Sequence, residues 1–391
     1  MNTKLSLMQG LYWAANCIAF SFLVPLFRTW GYSDFEIGVL TMLMALSSTI
    51  AQPLWGMYCD KQGHLKAVFI SQMLLGCLFI FFLPLGEHTW LGAALIVICL
   101  SAAIQPMANL VDVWTIKLIN EGEHVNYSWT RSFGSIFFAV GAVIFGVMLD
   151  DLGDWIRIPI FVGLTILLVL LAINLRKPAQ PIRIKVNVES QLQSIQLLLK
   201  NKQYVGLILS VFLLNVGGCV SIVFYPLLIS DLGGNNSDLG LGWFVMAMSE
   251  VPVFMMFGWL VRKVAKVNVL LIVGMSFYGV KTALIAIAPN VAWAIGLQSL
   301  EALSFALYLP AVIYYINEIV DRKALVTAQM LLASVYGGLG PIAGNFLGGL
   351  LSEHYGVSAM MLLMSTFSFL GTALFMTLEW RRKVYSSARL N

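Results

Sequence analysis

Five ionisable side chains stand inside otherwise apolar stretches of this sequence: Asp112, Arg131, Glu250, Lys281 and Glu301. A fixed charge at mid-membrane costs roughly 2.5–3.5 kcal/mol on insertion scales, so each of them needs a partner or a wet cavity. Groups of this kind hold a polar solute through charge-assisted hydrogen bonds, and the carboxyls among them can also load and release protons. Depth along the chain, at about 1.5 Å per helical residue, sorts them into two sets. Asp112 and Arg131 fall at similar depth on neighbouring antiparallel runs, and Glu250, Lys281 and Glu301 agree in depth with one another. In the second set one carboxyl can share the lysine while the other titrates. Glu250, within "VMAMSEVPVFMM", is the most central acid and has no route to an interface. A plainer reading stays open for the others. Arg131 and Lys281 lie near enough to an interface to snorkel their charged heads into water, and Asp112 and Glu301 can be purely structural partners.

No other constellation points to chemistry. Four histidines are scattered, with no HExxH and no close pair, and Cys17, Cys59, Cys77, Cys99 and Cys219 show no paired spacing. Neither a disulfide framework nor a metal site is expected. There is no Walker-type phosphate loop, and no GxGxxG lies between strand and helix signals. The chain reads as a non-enzyme without a cofactor.

The elements that hold these residues follow from composition. Of 391 residues 59% are hydrophobic and 11% charged, against about 25% charged in soluble domains. Apolar runs longer than the roughly 18 residues that mark a membrane span recur along the whole chain. They predict an all-α membrane protein with twelve transmembrane helices over 5–27, 36–58, 67–85, 91–118, 128–149, 157–175, 204–230, 240–261, 267–288, 291–317, 324–350 and 357–379. The first run follows a single Lys4 and has no small-residue cleavage site, so it reads as a retained helix.

Twelve spans put both ends on one side. All but four of the 23 lysines and arginines lie in the termini, the even loops or the adjoining helix ends; Arg28 and Arg157 fall near the opposite face, and Arg131 and Lys281 within spans. The positive-inside rule makes both termini cytoplasmic, in a cell membrane. The net charge of +4 is then topology rather than a nucleic-acid signal. The polar segment Arg176 to Gln203 divides the spans six and six. It predicts bundles over 1–175 and 204–391 around a central cavity, joined by a cytoplasmic linker over 176–203. Within it "LQSIQLLLK" reads as an amphipathic surface helix. Two equal halves suggest a duplicated transporter.

Between spans 2 and 3, "GMYCDKQGHLK" resembles the loop signature G-x-x-x-D-x-x-G-x-[RK]-[RK] of the major facilitator superfamily, with Gly56, Asp60, Gly63 and Lys66 in the matching places. Gly56 would allow close helix approach, Asp60 cap a helix or pair with a base, and Gly63 make the turn. The resemblance implies a gating role for this loop. The repeat position, "GWLVRKVAK", keeps Gly258 and Lys266 but has Arg262 for the acid and Ala265 for the second glycine. The drug-exporter signature of span 5 is absent, since "FGSIFFAVGAVIFG" has no proline.

A narrower likeness covers nearly the whole chain. "TRSFGSIFFAV" resembles the lactose-permease segment in which a sugar-binding arginine is followed seven residues later by a stacking tryptophan; here the positions are Arg131 and Phe138. That family's span 4 carboxylate corresponds to Asp112 within one residue, its span 8 glutamate to Glu250 and its span 9 arginine to Lys281. Its span 10 lysine, histidine and proton-carrying glutamate fall on Gln298, Glu301 and Ser304. "FRTWGYSDFEIGVL", "AQPLWGMYCD", "MSEVPVF" and "AQMLLASVYGGLGPIAGNFLGGLL" resemble the wider group of lactose-permease-like and phenylpropionate-permease-like proton symporters. In the last of these, Gly340, Gly344 and Gly348 are close-packing positions.

The resemblance implies a major facilitator fold and proton-coupled uptake of a small polar solute, a saccharide first, by alternating access. Asp112, Arg131, Phe138, Lys281 and Trp13 are then the candidates for substrate, and Glu250 and Glu301 those for the proton. An aromatic acid, a nucleoside or a lipid is the alternative cargo, since Tyr12, Trp13, Phe20 and Phe138 can stack on either ring type. A non-transporting membrane sensor is the alternative of another class. The expected partners are the solute, protons and the bilayer, with no nucleic acid and no second copy of the chain.

Overall fold

The computed structural model describes residues 1–62, 65–177, 188–322 and 324–387. All regular structure among them is helical. Twelve helices are long and apolar enough to cross a membrane: α1 Asn2–Thr29, α2 Asp34–Cys59, α3 Leu65–Glu87, α4 Trp90–Asn120, α5 Trp129–Leu152, α6 Asp154–Asn174, α7 Lys202–Val223, α8 Asn236–Lys263, α9 Val267–Ala286, α10 Val291–Ile319, α11 Leu325–Tyr355 and α12 Val357–Arg382. Helices suit these runs because every backbone donor finds its acceptor inside the segment, where lipid offers none. This agrees with the expected count, with ends shifted by a few residues. A further helix, Val188–Lys200, lies in the linker; residues 178–187 of that linker are outside the described residues.

The chain forms two compact units. The first contains α1–α6 together with Pro226–Met248, and the second holds the linker helix, α7 to Tyr225, and the chain from Ser249 onward. Inside the first unit the Asp150 carboxylate of α5 accepts the backbone N–H groups that open α8, from Asn236 at 3.0 Å and Ser237 at 2.7 Å. A carboxylate there neutralises the exposed donors and the positive end of the helix dipole. Inside the second unit Leu198 of the linker helix is buried in the apolar core with Tyr204 and Leu332, while Leu197 and Leu199 are exposed. The helix is amphipathic, and the apolar Leu198 of the expected surface helix rests on the protein core. The α11 glycines behave as expected: a Cβ on Gly340 would stand 2.6 Å from the Asn215 Cβ, and one on Gly348 2.8 Å from the Phe224 ring.

Several helices are interrupted, and the interruptions have local causes. In α4 the regular helix stops at Ile104 and resumes at Met107. Pro106 has no N–H, which leaves the carbonyl of Ala102 without its helical donor. The Trp55 indole donates to that carbonyl at 3.0 Å, and the Tyr12 hydroxyl donates to Ile104 O at 3.0 Å. In α1 a π-turn runs over Cys17–Ser21, and α11 has another over Val335–Leu339. In α10 a 3₁₀ turn over Gln298–Ala302 separates two α-helical halves. Irregular backbone at membrane depth is tolerated only where protein or a wet cavity surrounds it. These breaks therefore mark where polar chemistry is to be sought.

Of the signature loop, Gly56 and Lys66 are among the described residues. A Cβ on Gly56 would meet nothing within 4 Å among the described residues, so close helix approach is not what this glycine serves here. The Lys66 ammonium donates to Ile173 O at 2.5 Å and Leu175 O at 3.1 Å. It thus closes the carbonyl end of α6, where a cation is favoured. Gly63 and the side chain of Asp60 are outside the described residues.

Candidate functional site

In the first unit α1, α4 and α5 bring the expected residues together. Gln9 of α1 is fully buried and donates from Nε2 to Asp112 Oδ1 at 2.6 Å. Asp112 also shares a hydrogen bond with Tyr127 and feels the charge of Arg131. Arg131 has its guanidinium carbon 4.7 Å from the centroid of the Trp13 ring. Trp13 in turn meets Phe138 edge to face at 6.4 Å and Tyr12 at 5.7 Å. Such cation–π and aromatic contacts fix an indole face beside a forked donor, a combination that suits a ring bearing hydroxyls. Arg131 is half-buried, and its side chain is spent on the Trp13 face rather than simply lifted to an interface.

Glycine makes that stack possible. A Cβ on Gly134 would lie 2.5 Å from Trp13 Cδ1 and 3.1 Å from Arg131 Nη1. Gly134→Ala should therefore displace the indole and weaken solute binding by about tenfold, since a misplacement near 1 Å is enough for that. Solute-induced protection against thermal unfolding measures it. Unchanged affinity in the variant would remove Trp13 from the site.

In the second unit the pair brought together is Lys281 of α9 with Glu301 of α10. They form an ion pair at only 2% and 3% exposure. Ser304 Oγ donates to the same carboxylate oxygen at 3.1 Å. Glu301 lies in the 3₁₀ turn of α10, and that turn is what points its short side chain at α9. Beside it Tyr278 and Tyr308 cross edge to face at 5.9 Å, and Asn215 Nδ2 donates to the Tyr308 hydroxyl at 3.4 Å. Glu250 is half-buried in α8. The ranking expected from position is thus reversed: Glu301, not Glu250, is the more buried acid.

Two buried amides also stand in these helices, of which only Gln298 is singled out by the family resemblance. Gln9 orients Asp112. Gln298 is fully buried with neither amide atom hydrogen-bonded among the described residues. A lone amide in a long apolar run is the signal that marks both, and it is a weak one, because glutamine costs less than a charge to bury.

The family model described as MFS_1 like matches residues 2–363. The chain belongs to the MFS_1-like family. Among relatives, the maltose permease of Geobacillus stearothermophilus is 25% identical over 380 residues, covering 95% of this chain and 94% of the permease. The uncharacterized transporter YwbF of Bacillus subtilis (strain 168) is 25% identical over 344 residues, covering 88% and 84%. Among solved structures, a mutant of the nucleoside transporter NupG has a TM-score of 0.86 at 16% identity, covering 96% of this chain and 99% of NupG. A bacterial homolog of the human lysosomal transporter Spinster, inward-facing and unoccupied, has a TM-score of 0.70 at 15% identity, over 96% and 95%. At such identities these structures establish the fold, which is the major facilitator fold expected from the loop signature. This MFS_1-like protein is a multi-pass membrane transporter, of the same superfamily as its relatives.

Proposed function

We propose that this MFS_1-like transporter carries a small, neutral, polyhydroxylated solute, a saccharide first, into the cell together with protons. One observation carries the solute class. Each cluster sets one cation against one carboxylate, Arg131 with Asp112 and Lys281 with Glu301, so neither presents a net charge to its ligand. A carboxylate-bearing aromatic acid would meet a compensating acid in both places, whereas hydroxyls find donors and acceptors together. Trp13 and Phe138 supply the apolar ring face. The likeness to a maltose permease along 95% of the chain supports the same class. In this reading Trp13, Asp112, Arg131, Phe138 and Lys281 bind solute, and of the two candidate acids for the proton Glu250 carries it while Glu301 tunes the site through Lys281. The active form is a monomer in the cell membrane. It works by alternating access, with bundles over 1–175 and 204–391, and the basic loops keep both termini cytoplasmic.

The test is uptake by purified protein in vesicles under an imposed pH gradient, with maltose, glucose, a nucleoside and phenylpropionate as solutes. Saccharide accumulation is expected, and accumulation of phenylpropionate instead would overturn the reading. In the same vesicles Arg131→Ala should lower solute affinity by about tenfold to a hundredfold, the worth of a hydrogen bond from a charged donor, with insertion into the membrane intact. The structural likeness to NupG favours one variant of this reading. A nucleoside is also neutral and hydroxylated, and its accumulation would keep the solute class while replacing the saccharide.

A further inference from the structure

Arg157 begins the regular part of α6, a helix end at which a charged side chain could reach water. It is instead 2% exposed. Its guanidinium forks onto the backbone of α1: Nη1 donates to Ile18 O at 2.6 Å and Nη2 to Phe22 O at 3.2 Å. Nη2 also reaches Asp154 Oδ1 at 3.0 Å, and the Cζ stands 5.4 Å from the centre of the Phe145 ring on α5.

The Ile18 carbonyl lies within the π-turn of α1 and the Phe22 carbonyl directly follows it. At Phe22 the backbone leaves the helix, with φ −118° and ψ 19°, and Pro25 offers no N–H to the turn before it. A π-turn in a span survives only when something outside the helix satisfies the groups it frees. Arg157 does so from α6 while its flat face rests on α5. The stretch of α1 immediately before this turn carries Gln9, Tyr12, Trp13 and Asn16, and α5 carries Arg131 and Phe138. One buried side chain therefore ties together the two helices whose relative setting stacks Trp13 on Arg131.

We propose that Arg157 is a positioning residue: by bracing the π-turn of α1 it holds Trp13 against Arg131 and Phe138 and so sets solute affinity without touching solute. This rests on the reading that Trp13 and Arg131 bind the solute, but its geometric part does not. Arginine suits the task because one rigid fork serves two carbonyls, while a lysine ammonium reaches them from a single point.

The experiment compares Arg157→Gln, Arg157→Lys and Asp154→Asn in the full-length protein. The first measurement needs no solute. The emission of Trp13 is isolated in each background by subtracting the spectrum of the matching Trp13→Phe protein. The second is the separation of KM from Vmax for saccharide uptake. Arg157→Gln should shift the Trp13 spectrum and raise KM roughly five- to thirty-fold, the range of one or two lost hydrogen bonds, with Vmax nearly unchanged. Arg157→Lys should return part of both effects. Asp154→Asn leaves both carbonyl bonds in place, so both measurements should stay near wild type. An unshifted Trp13 spectrum in Arg157→Gln would overturn the proposal, as would an Asp154→Asn protein that behaves like Arg157→Gln. Should Arg157→Gln fail to reach the membrane, Arg157→Lys with a wild-type spectrum and KM would overturn it equally. If wild-type vesicles move no saccharide, the functional reading fails while the Trp13 spectra still decide the role of Arg157.

Discussion

Glu301→Gln should destabilise the protein by about 3–5 kcal/mol, the usual consequence of removing one partner from a buried ion pair. Lys281 is 2% exposed, and its partner is Glu301. Amide replacement keeps the shape and the bond from Ser304 but leaves an ammonium in low dielectric without its counter-charge. Lys281→Met alone should cost a similar amount, through a carboxylate stranded beside Ser304. The two losses should not add. In the Lys281→Met/Glu301→Gln protein no charge is left unpaired, and most of the stability should return, because a well-packed apolar replacement of such a pair is often neutral. Unfolding of the detergent-solubilised protein, followed for all four forms, gives the coupling directly. Additive losses would mean that the two charges do not neutralise each other, and the assignment of a charge-balanced site in this unit would fall with them.

That pair shows what a sequence of this kind discloses. The cost of burying charge is high enough that five ionisable residues in apolar runs had to find company, and depth counting put Lys281 and Glu301 level before any coordinates. The same counting placed Asp112 level with Arg131, and the two interact in the first unit. The spans were legible for a related reason: lipid permits only helices, so hydropathy and length leave little choice. The glycines of α11 followed from i, i+4 spacing alone.

The breaks in the helices were not legible. A π-turn at Cys17–Ser21 depends on a donor 139 residues away in the chain, Arg157 Nη1 at Ile18 O, and no local pattern predicts such a partner. Glu301 was ranked behind Glu250 because distance from a helix end stands in poorly for burial: what protects Glu301 is the 3₁₀ turn that aims it at α9, whereas Glu250 sits in an unbroken helix. Gln9 was not legible because a neutral amide carries no charge penalty to announce it. Its role is set by the Asp112 carboxylate that stands opposite, which is tertiary information.

The burial ranking also sharpens the coupling hypothesis. Lys281 already has its counter-charge in Glu301, so a proton placed on Glu301 would strand the lysine. Glu250, half-buried in α8, is the other acid of this set and the most central one by sequence, so we assign the transported proton to Glu250. Glu250→Gln mimics the protonated state permanently. It should abolish accumulation of solute driven by a pH gradient, because loading and release of the proton are removed, while exchange of labelled for unlabelled solute across the vesicle membrane continues near the wild-type rate. Uptake by the variant should also lose its dependence on the imposed gradient. In the Lys281→Met/Glu301→Gln background, where the pair is gone but Glu250 is intact, gradient-driven accumulation should be weakened rather than lost. The two measurements separate the candidates, since exchange reports the solute site and accumulation reports the proton. Gradient-driven accumulation by Glu250→Gln at the wild-type rate would eliminate Glu250 as the coupling group. Complete loss of accumulation in the double variant with exchange intact would transfer the role to Glu301, and Lys281 would then be the group that drives the proton off it.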